Sequence, residues 1–218
     1  MKINLSAAAA AILAAVTLTA CGGSNPPKAS YKSDVKTALV NPDALEKHLG
    51  EYPDLEGSGP HLRFNKTTAR PGEYAEVTMS VANADMQWNM CGIHIVYPDI
   101  LEPEISNPEE HYVWYKKGDA LENSTGAVCI QWHNKLPDLL QEKRLGCTFF
   151  TCMFEGNSGL DGEIMKFHLK VPEDAKSGTV YNIGCYYADT DLFKCAENIP
   201  SFQKYAFQHF TGGTITVE

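Results

Sequence analysis

From residue 163 to 171 the chain alternates: Glu163, Met165, Phe167, Leu169 and Val171 on one parity, Ile164, Lys166, His168 and Lys170 on the other. Period-2 alternation is the signature of a strand with one face on a core and the other toward water. Asp161-Gly162 supplies an opening turn, and Pro172, with no N–H to donate, ends the ladder. The pattern repeats over 74–82, where Ala75, Val77, Met79 and Val81 alternate with Glu76, Thr78 and Ser80. Over 91–97 it sets Ile93, Ile95 and Tyr97 against Gly92, His94 and Val96. Residues 127–132 are expected to face inward through Val128, Ile130 and Trp132, and 147–154 is apolar on both parities. Candidates at 61–65, 102–106, 179–188 and 213–217 bring the predicted strands to nine.

Turn chemistry separates these runs. Arg70-Pro71-Gly72-Glu73 combines a proline that fixes φ with a glycine free to take positive φ. Two short helices are expected. One starts at Asn41-Pro42 and stops at Gly50; the other lies in 136–145. The aromatic group Tyr112, Trp114 and Tyr115 sits in the longer excursion 107–123. There is no internal repeat and no βαβ rhythm. The predicted fold is all-β, a nine-stranded antiparallel jelly-roll sandwich with one or two short helical insertions. The roughly 160 residues from Gly59 on suffice to bury such a core.

The start of the chain follows another rule. Lys2 precedes an apolar, alanine-rich run over 5–18, too short for a membrane span and placed where a secretory signal sits. Leu18-Thr19-Ala20-Cys21 resembles a bacterial lipobox, in which the cysteine is lipidated and becomes the new N-terminus. The alternative is a plain signal peptide that contains a cysteine. The organisation expected is a lipoprotein signal over 1–20, a tether with a possible short helix over 21–58, and a domain over 59–218. Lipid on Cys21 would anchor the protein at the extracellular face of the cell membrane without spanning it.

Composition is ordinary for a globular chain, 44% hydrophobic and 21% charged, with a net charge of −9. That balance disfavours a phosphate-binding surface, so nucleic acid is not an expected partner. No His-Glu-x-x-His helix, nucleophile elbow or phosphate-cradling loop appears, and no pair of carboxylates is placed for glycoside hydrolysis. Six cysteines follow Cys21: Cys91, Cys129, Cys147, Cys152, Cys185 and Cys195. An even number in an exported domain allows up to three disulfides, yet most fall inside strands, where buried thiols pack as small hydrophobes. No Cys-x-x-Cys pair favours zinc. Asp189 and Asp191 lack the rest of a calcium loop and fit a solvated loop. No catalytic residue, metal or cofactor is expected.

Five blocks in order resemble cohesin domains. These are Arg70-Pro71-Gly72-Glu73-Tyr74-Ala75-Glu76-Val77, Gly92 through Glu102, Asp161-Gly162, Phe167 through Pro172 with Ala175-Lys176-Ser177-Gly178, and Thr214-Ile215-Thr216-Val217. Lys116 through Glu122 and Asp191-Leu192-Phe193 are similar to divergent cell-surface cohesins of ruminal cellulosomes. The chain departs from the family where Pro98 splits the tyrosine–aspartate pair, and in its six cysteines.

The resemblance implies a non-catalytic module that binds dockerins, whose own calcium the interaction would need, and that anchors cellulosomal enzymes or scaffoldins to the cell. It implies a binding face on the sheet of strands 179–188, 91–97, 147–154 and 127–132. Carried over, that face would hold Met90, Gly92, His94, Val96, Cys129, Gln131, Phe150, Cys152, Phe154, Asn182, Gly184 and Tyr186, with Asp191, Leu192 and Phe193 at its end. A strand apolar on both faces needs a cover on each. A partner and the 136–145 helix are the two candidates for the outer one. A carbohydrate-binding sandwich that stacks sugar on the Tyr112–Tyr115 aromatics is the alternative function.

Overall fold

A computed structural model describes residues 39–132 and 136–218. The signal, lipobox and first part of the tether lie outside the described residues. The body is a sandwich of two sheets.

The first sheet has the order β1-β3-β11-β5 and is built from β1 (His61–Phe64), β3 (Tyr74–Ala82), β11 (Gly162–Lys170) and β5 (Glu102–Pro103). A further short strand, β8 (Tyr115–Lys117), also pairs with β11. The second sheet runs β2-β14-β12-β4-β10-β9-β7-β6. Its strands are β2 (Lys66–Ala69), β14 (Gly213–Val217), β12 (Val180–Cys185), β4 (Met90–Pro98), β10 (Leu145–Phe154), β9 (Ser124–Gln131), β7 (Tyr112–Val113) and β6 (Ile105–Asn107). The strand β13 (Leu192–Lys194) joins it by pairing with β4. The predicted all-β sandwich is what the chain adopts, with short edge strands added to the expected set.

Local chemistry accounts for the elements. Gly72 takes φ +80° in the expected turn, and the Glu73 amide bonds the Arg70 carbonyl at 3.1 Å. The strict alternation expected over 163–171 is broken once. A register shift between Glu163 and Met165 lets Ile164 and Met165 both point inward, as a β-bulge does. Phe64, Val77, Met79, Ile93, Ile95, Phe150, Phe167 and Leu169 meet between the sheets in one core cluster. Burying each such side chain stabilises the fold by about 1.5–3 kcal/mol.

Among the described residues, three α-helices dress the sandwich. α1 (Pro42–Leu49) forms where expected, with proline in its first turn. Asn41 does not cap it by side chain; its Nδ2 donates instead to the Tyr187 carbonyl at 2.8 Å. Leu45 and Leu49 enter the core, and Val40 bonds Cys185. The Lys204 ammonium ties the next turn down through Tyr52 O at 2.6 Å and Asp54 at 2.9 Å. From Leu39 on, the segment expected as tether is therefore packed on the body. α2 (Asp138–Glu142) is the expected insertion. α3 (Pro200–Gln208) was not anticipated, although Pro200 at its start and Phe202, Ala206 and Phe207 on one face are a helix pattern.

Candidate partner-binding face

The face is built around β4, whose residues from Cys91 to Pro98 are all buried. Directly opposed residues of antiparallel neighbours point to the same side. Gly92, His94 and Val96 are opposed by Thr151, Phe149 and Cys147 of β10. Thr151 and Phe149 are in turn opposed by Val128 and Ile130 of β9. All of these belong to the outer face of the larger sheet.

On the other flank β4 is paired first by β12 and then by β13, with the loop 186–191 between them. The loop interrupts the ladder opposite His94. Tyr186 still donates its amide to the His94 carbonyl at 2.9 Å. The His94 amide is taken up at 3.5 Å by Asp191 Oδ2, which also receives the Ala188 amide at 3.2 Å. The other carboxylate oxygen lies 2.5 Å from His94 Nδ1. The His94 ring is flanked by Trp132 at 4.7 Å and Phe149 at 4.6 Å. Burial raises the pKa of Asp191, and the hydrogen bonds from His94 and the two amides oppose that rise. Asp191 is thus a buried partner of His94, where a solvated loop carboxylate was expected.

The face has two ends. At one, Leu140 of α2 closes over Val96, Leu145 and Cys147, with Val40, Trp132, Leu136, Leu139 and Tyr186 packed around it. The insertion therefore covers part of the face, as one of the two expected covers does. At the other end, Gly126, Val128, Thr151 and Met153 border a shallow apolar groove of about 220 Å³, and Met153 is 51% exposed.

The implied site residues divide on this geometry. Met90, Asn182 and Leu192 are half-buried on the outer face, and Tyr186 is shared with the α2 cluster. His94 lies on this face and is buried. Gly92 is floored over, since a Cβ there would meet Leu192 Cγ and Phe149 Cζ at 3.4 Å. Val96 and the neighbouring Gly184 are buried.

The strand parity leaned on for β10 and β9 is corrected. Phe150, Phe154, Cys152 and Cys129 all lie in the core between the sheets. Gln131 opposes the fully buried Thr148, on the inner side at the end of β9. Phe193 opposes Cys91 and stacks on Trp88 at 4.9 Å, again inside. Conversely, Val128, Ile130 and Trp132, expected to face inward, take the outer side. The physical reason is that both parities of β9 and β10 carry apolar side chains, so hydrophobicity does not choose between them. Phe149, Thr151, Met153, Val128 and Trp132 were missed. The signal available was the apolar set of β9 lying on the same side as Gly92 and His94.

The six described cysteines are free thiols, all buried. Burial pushes Cys129 and Cys147 well above the ordinary thiol range, which keeps them protonated and unreactive. Among the described residues, no group of three or more His, Cys, Asp or Glu side chains is placed to hold a metal.

No family profile matches the sequence, and no curated protein matches it. Solved structures do. A type III cohesin module from the ScaE cell-surface anchoring scaffoldin of Ruminococcus flavefaciens superposes with a TM-score of 0.61 at 22% identity, covering 76% of this chain and 93% of that one. The type I cohesin–dockerin complex of OlpA from Clostridium thermocellum gives 0.50 at 15% identity, over 74% of this chain and 100% of that one. The corresponding OlpC complex from the same organism gives 0.50 at 11% identity, over 77% and 99%. The likeness is one of fold: the described residues adopt a jelly-roll sandwich like that of cohesin modules.

Proposed function

We propose that this protein is a non-catalytic cohesin that captures the dockerin of a cellulosomal enzyme or scaffoldin, and that lipid on Cys21 holds the complex at the outer face of the cell membrane. The observation that carries the reading is the open end of the outer face, where Met153, Val128 and Thr151 border an apolar groove that, among the described residues, the chain's own insertion leaves uncovered. An apolar sheet face with a polar rim is the form of a protein-binding surface. The OlpA and OlpC relatives are themselves cohesin–dockerin complexes, which agrees in kind. The dockerin brings its own calcium, so capture depends on calcium although this chain contributes no calcium site to the reading.

The test uses the full chain and purified, calcium-loaded dockerins from its own organism, measured by calorimetry with and without chelator. At least one dockerin binds in the nanomolar range, chelator abolishes it, and Met153→Asp lowers affinity about 100-fold, as expected for a charge at the centre of an interface. Cys21→Ala leaves capture intact and moves the protein from the membrane to the soluble fraction. A panel of dockerins with no binder would sink the reading.

A further inference from the structure

We propose that His94 selects the partner: Asp191 locks it in one tautomer, so that Nε2 is offered to the docking surface as a hydrogen-bond acceptor only. The inference rests on the dockerin reading and adds what that partner must supply, a donor directed at Nε2.

The lock is geometric. Both oxygens of Asp191 are engaged, Oδ2 by the Ala188 and His94 amides and Oδ1 by His94 Nδ1 at 2.5 Å. Two N–H groups on Oδ2 call for a carboxylate there. An ionised carboxylate can only accept, so the hydrogen between Oδ1 and Nδ1 is carried by Nδ1. In the neutral ring the second nitrogen is then an acceptor.

The ring is mostly closed off from water. Trp132 and Phe149 both lie against it, with ring centroids at 4.7 and 4.6 Å. Asp191, with 0% side-chain exposure, takes the Nδ1 edge. About 10% of the His94 side chain remains exposed, and the edge away from Asp191 carries Nε2. Among the described residues Nε2 has no hydrogen-bond partner. Water serves it while the face is free. Once an apolar partner surface closes over Phe149 and Met153, that water is excluded, and a partner without a donor leaves the acceptor buried and unpaired. A site with a polar group to satisfy rejects partners that lack its complement more strongly than an apolar pocket can.

The test has two readouts. Nitrogen-15 NMR of the imidazole in the full chain at pH 8, without partner, shows hydrogen on Nδ1 and none on Nε2. His94→Phe keeps an aromatic ring against Phe149 and Trp132 but removes the acceptor. Its affinity for the dockerin captured by wild type falls about 10- to 100-fold, while His94→Gln, which restores an acceptor oxygen, recovers part of the loss.

Asp191→Asn is the sharper arm. The new amide must turn its oxygen to the two backbone N–H groups, so its NH₂ faces Nδ1. The hydrogen on the ring then moves to Nε2 and the offered polarity inverts. The swap is seen in the NMR spectrum, with a loss of affinity at least as large as that of His94→Phe. If that variant does not fold, the wild-type tautomer and the two His94 variants still decide. Hydrogen on Nε2 in the wild type, or a His94→Phe affinity within twofold of wild type, overturns the inference while capture itself stands. A wild type that captures no dockerin removes the functional reading and this inference with it.

Discussion

Among the described residues, each outer face of the sandwich carries a short histidine–carboxylate contact, and the two are nearly the same length. His94 Nδ1 meets Asp191 at 2.5 Å on the larger sheet, and His168 Nδ1 meets Glu104 at 2.6 Å on the smaller. Each histidine also lies against aromatic rings, His94 against Trp132 and Phe149, His168 against Trp114 at 4.2 Å and near Tyr74 at 5.9 Å. What differs is burial. The first pair has side-chain exposures of 10% and 0%, the second 24% and 35%. Around His168 the surface is a charge ladder, with Lys166 joined to Glu76 and Glu163, and Lys170 to Glu173. Around His94 it is Phe149 and Trp132, with Val128 and Met153 further along the same face. A charged outer face completes itself with its neighbours and water. An apolar one is completed only when something covers it, and α2 covers one end alone.

Removing the buried carboxylate is expected to have the largest effect. Asp191→Ala strips the acceptor from three N–H groups in a place water does not reach. It lowers unfolding free energy by about 2–4 kcal/mol in urea titrations. A loss below about 1 kcal/mol would put the two pairs in one class and dissolve the contrast.

The next contrast lies in the rings. Trp132→Ala takes away one ring that lies against His94 and removes part of the apolar rim, so dockerin affinity falls about tenfold. Trp114→Ala removes a ring of the same kind from the opposite face and leaves affinity within about twofold of wild type, since surface contacts away from an interface contribute little to it. The same two variants in a polysaccharide-depletion assay test the alternative function. Retention on insoluble polysaccharide that only Trp114→Ala abolishes would shift the reading to carbohydrate. Against it stands the stack itself: Trp114 lies nearly parallel to His168, at 18°, so one of its ring faces is already occupied.

How much of this the sequence discloses follows the same division. β3 and β11 are legible because one parity is polar: Glu76 and Thr78, Lys166 and His168 can only face out. β4 is legible because Ile93, Ile95 and Tyr97 outweigh Gly92 and His94. β10 is not, because Phe149 and Phe150 are the same residue on opposite sides, and Thr148 and Thr151 balance each other. Parity there is fixed by pairing with β4, a long-range contact that local pattern does not encode. The same holds for Asp191. Its neighbours Asp189 and Thr190 are exposed, so its stretch reads as a solvated loop, and only the break between β12 and β13 turns it under His94. The candidate sheet thus follows from the resemblance, while the outward parity of Phe149, Thr151, Met153, Val128 and Trp132 does not.

The smallest effect expected is at the exposed pair, and its size is itself the test. Glu104→Gln keeps the shape of the side chain and leaves the backbone bonds of Glu104 to His168 at 3.1 Å and to Trp114 at 2.7 Å in place. It removes only the charge. His168 then still has Glu76 at 4.0 Å on its other nitrogen, and water reaches both partners. Exposed ion pairs contribute about 0–1 kcal/mol, so the urea midpoint moves little. What remains shrinks as salt is raised, because the screening length at 1 M is about 3 Å. The loss in Asp191→Ala, measured over the same salt series, stays constant, since Asp191 and His94 are buried. A salt-insensitive loss at Glu104 as large as that at Asp191 would mean that the smaller sheet hides its pair as well, and that two faces of this sandwich, not one, are built to be covered.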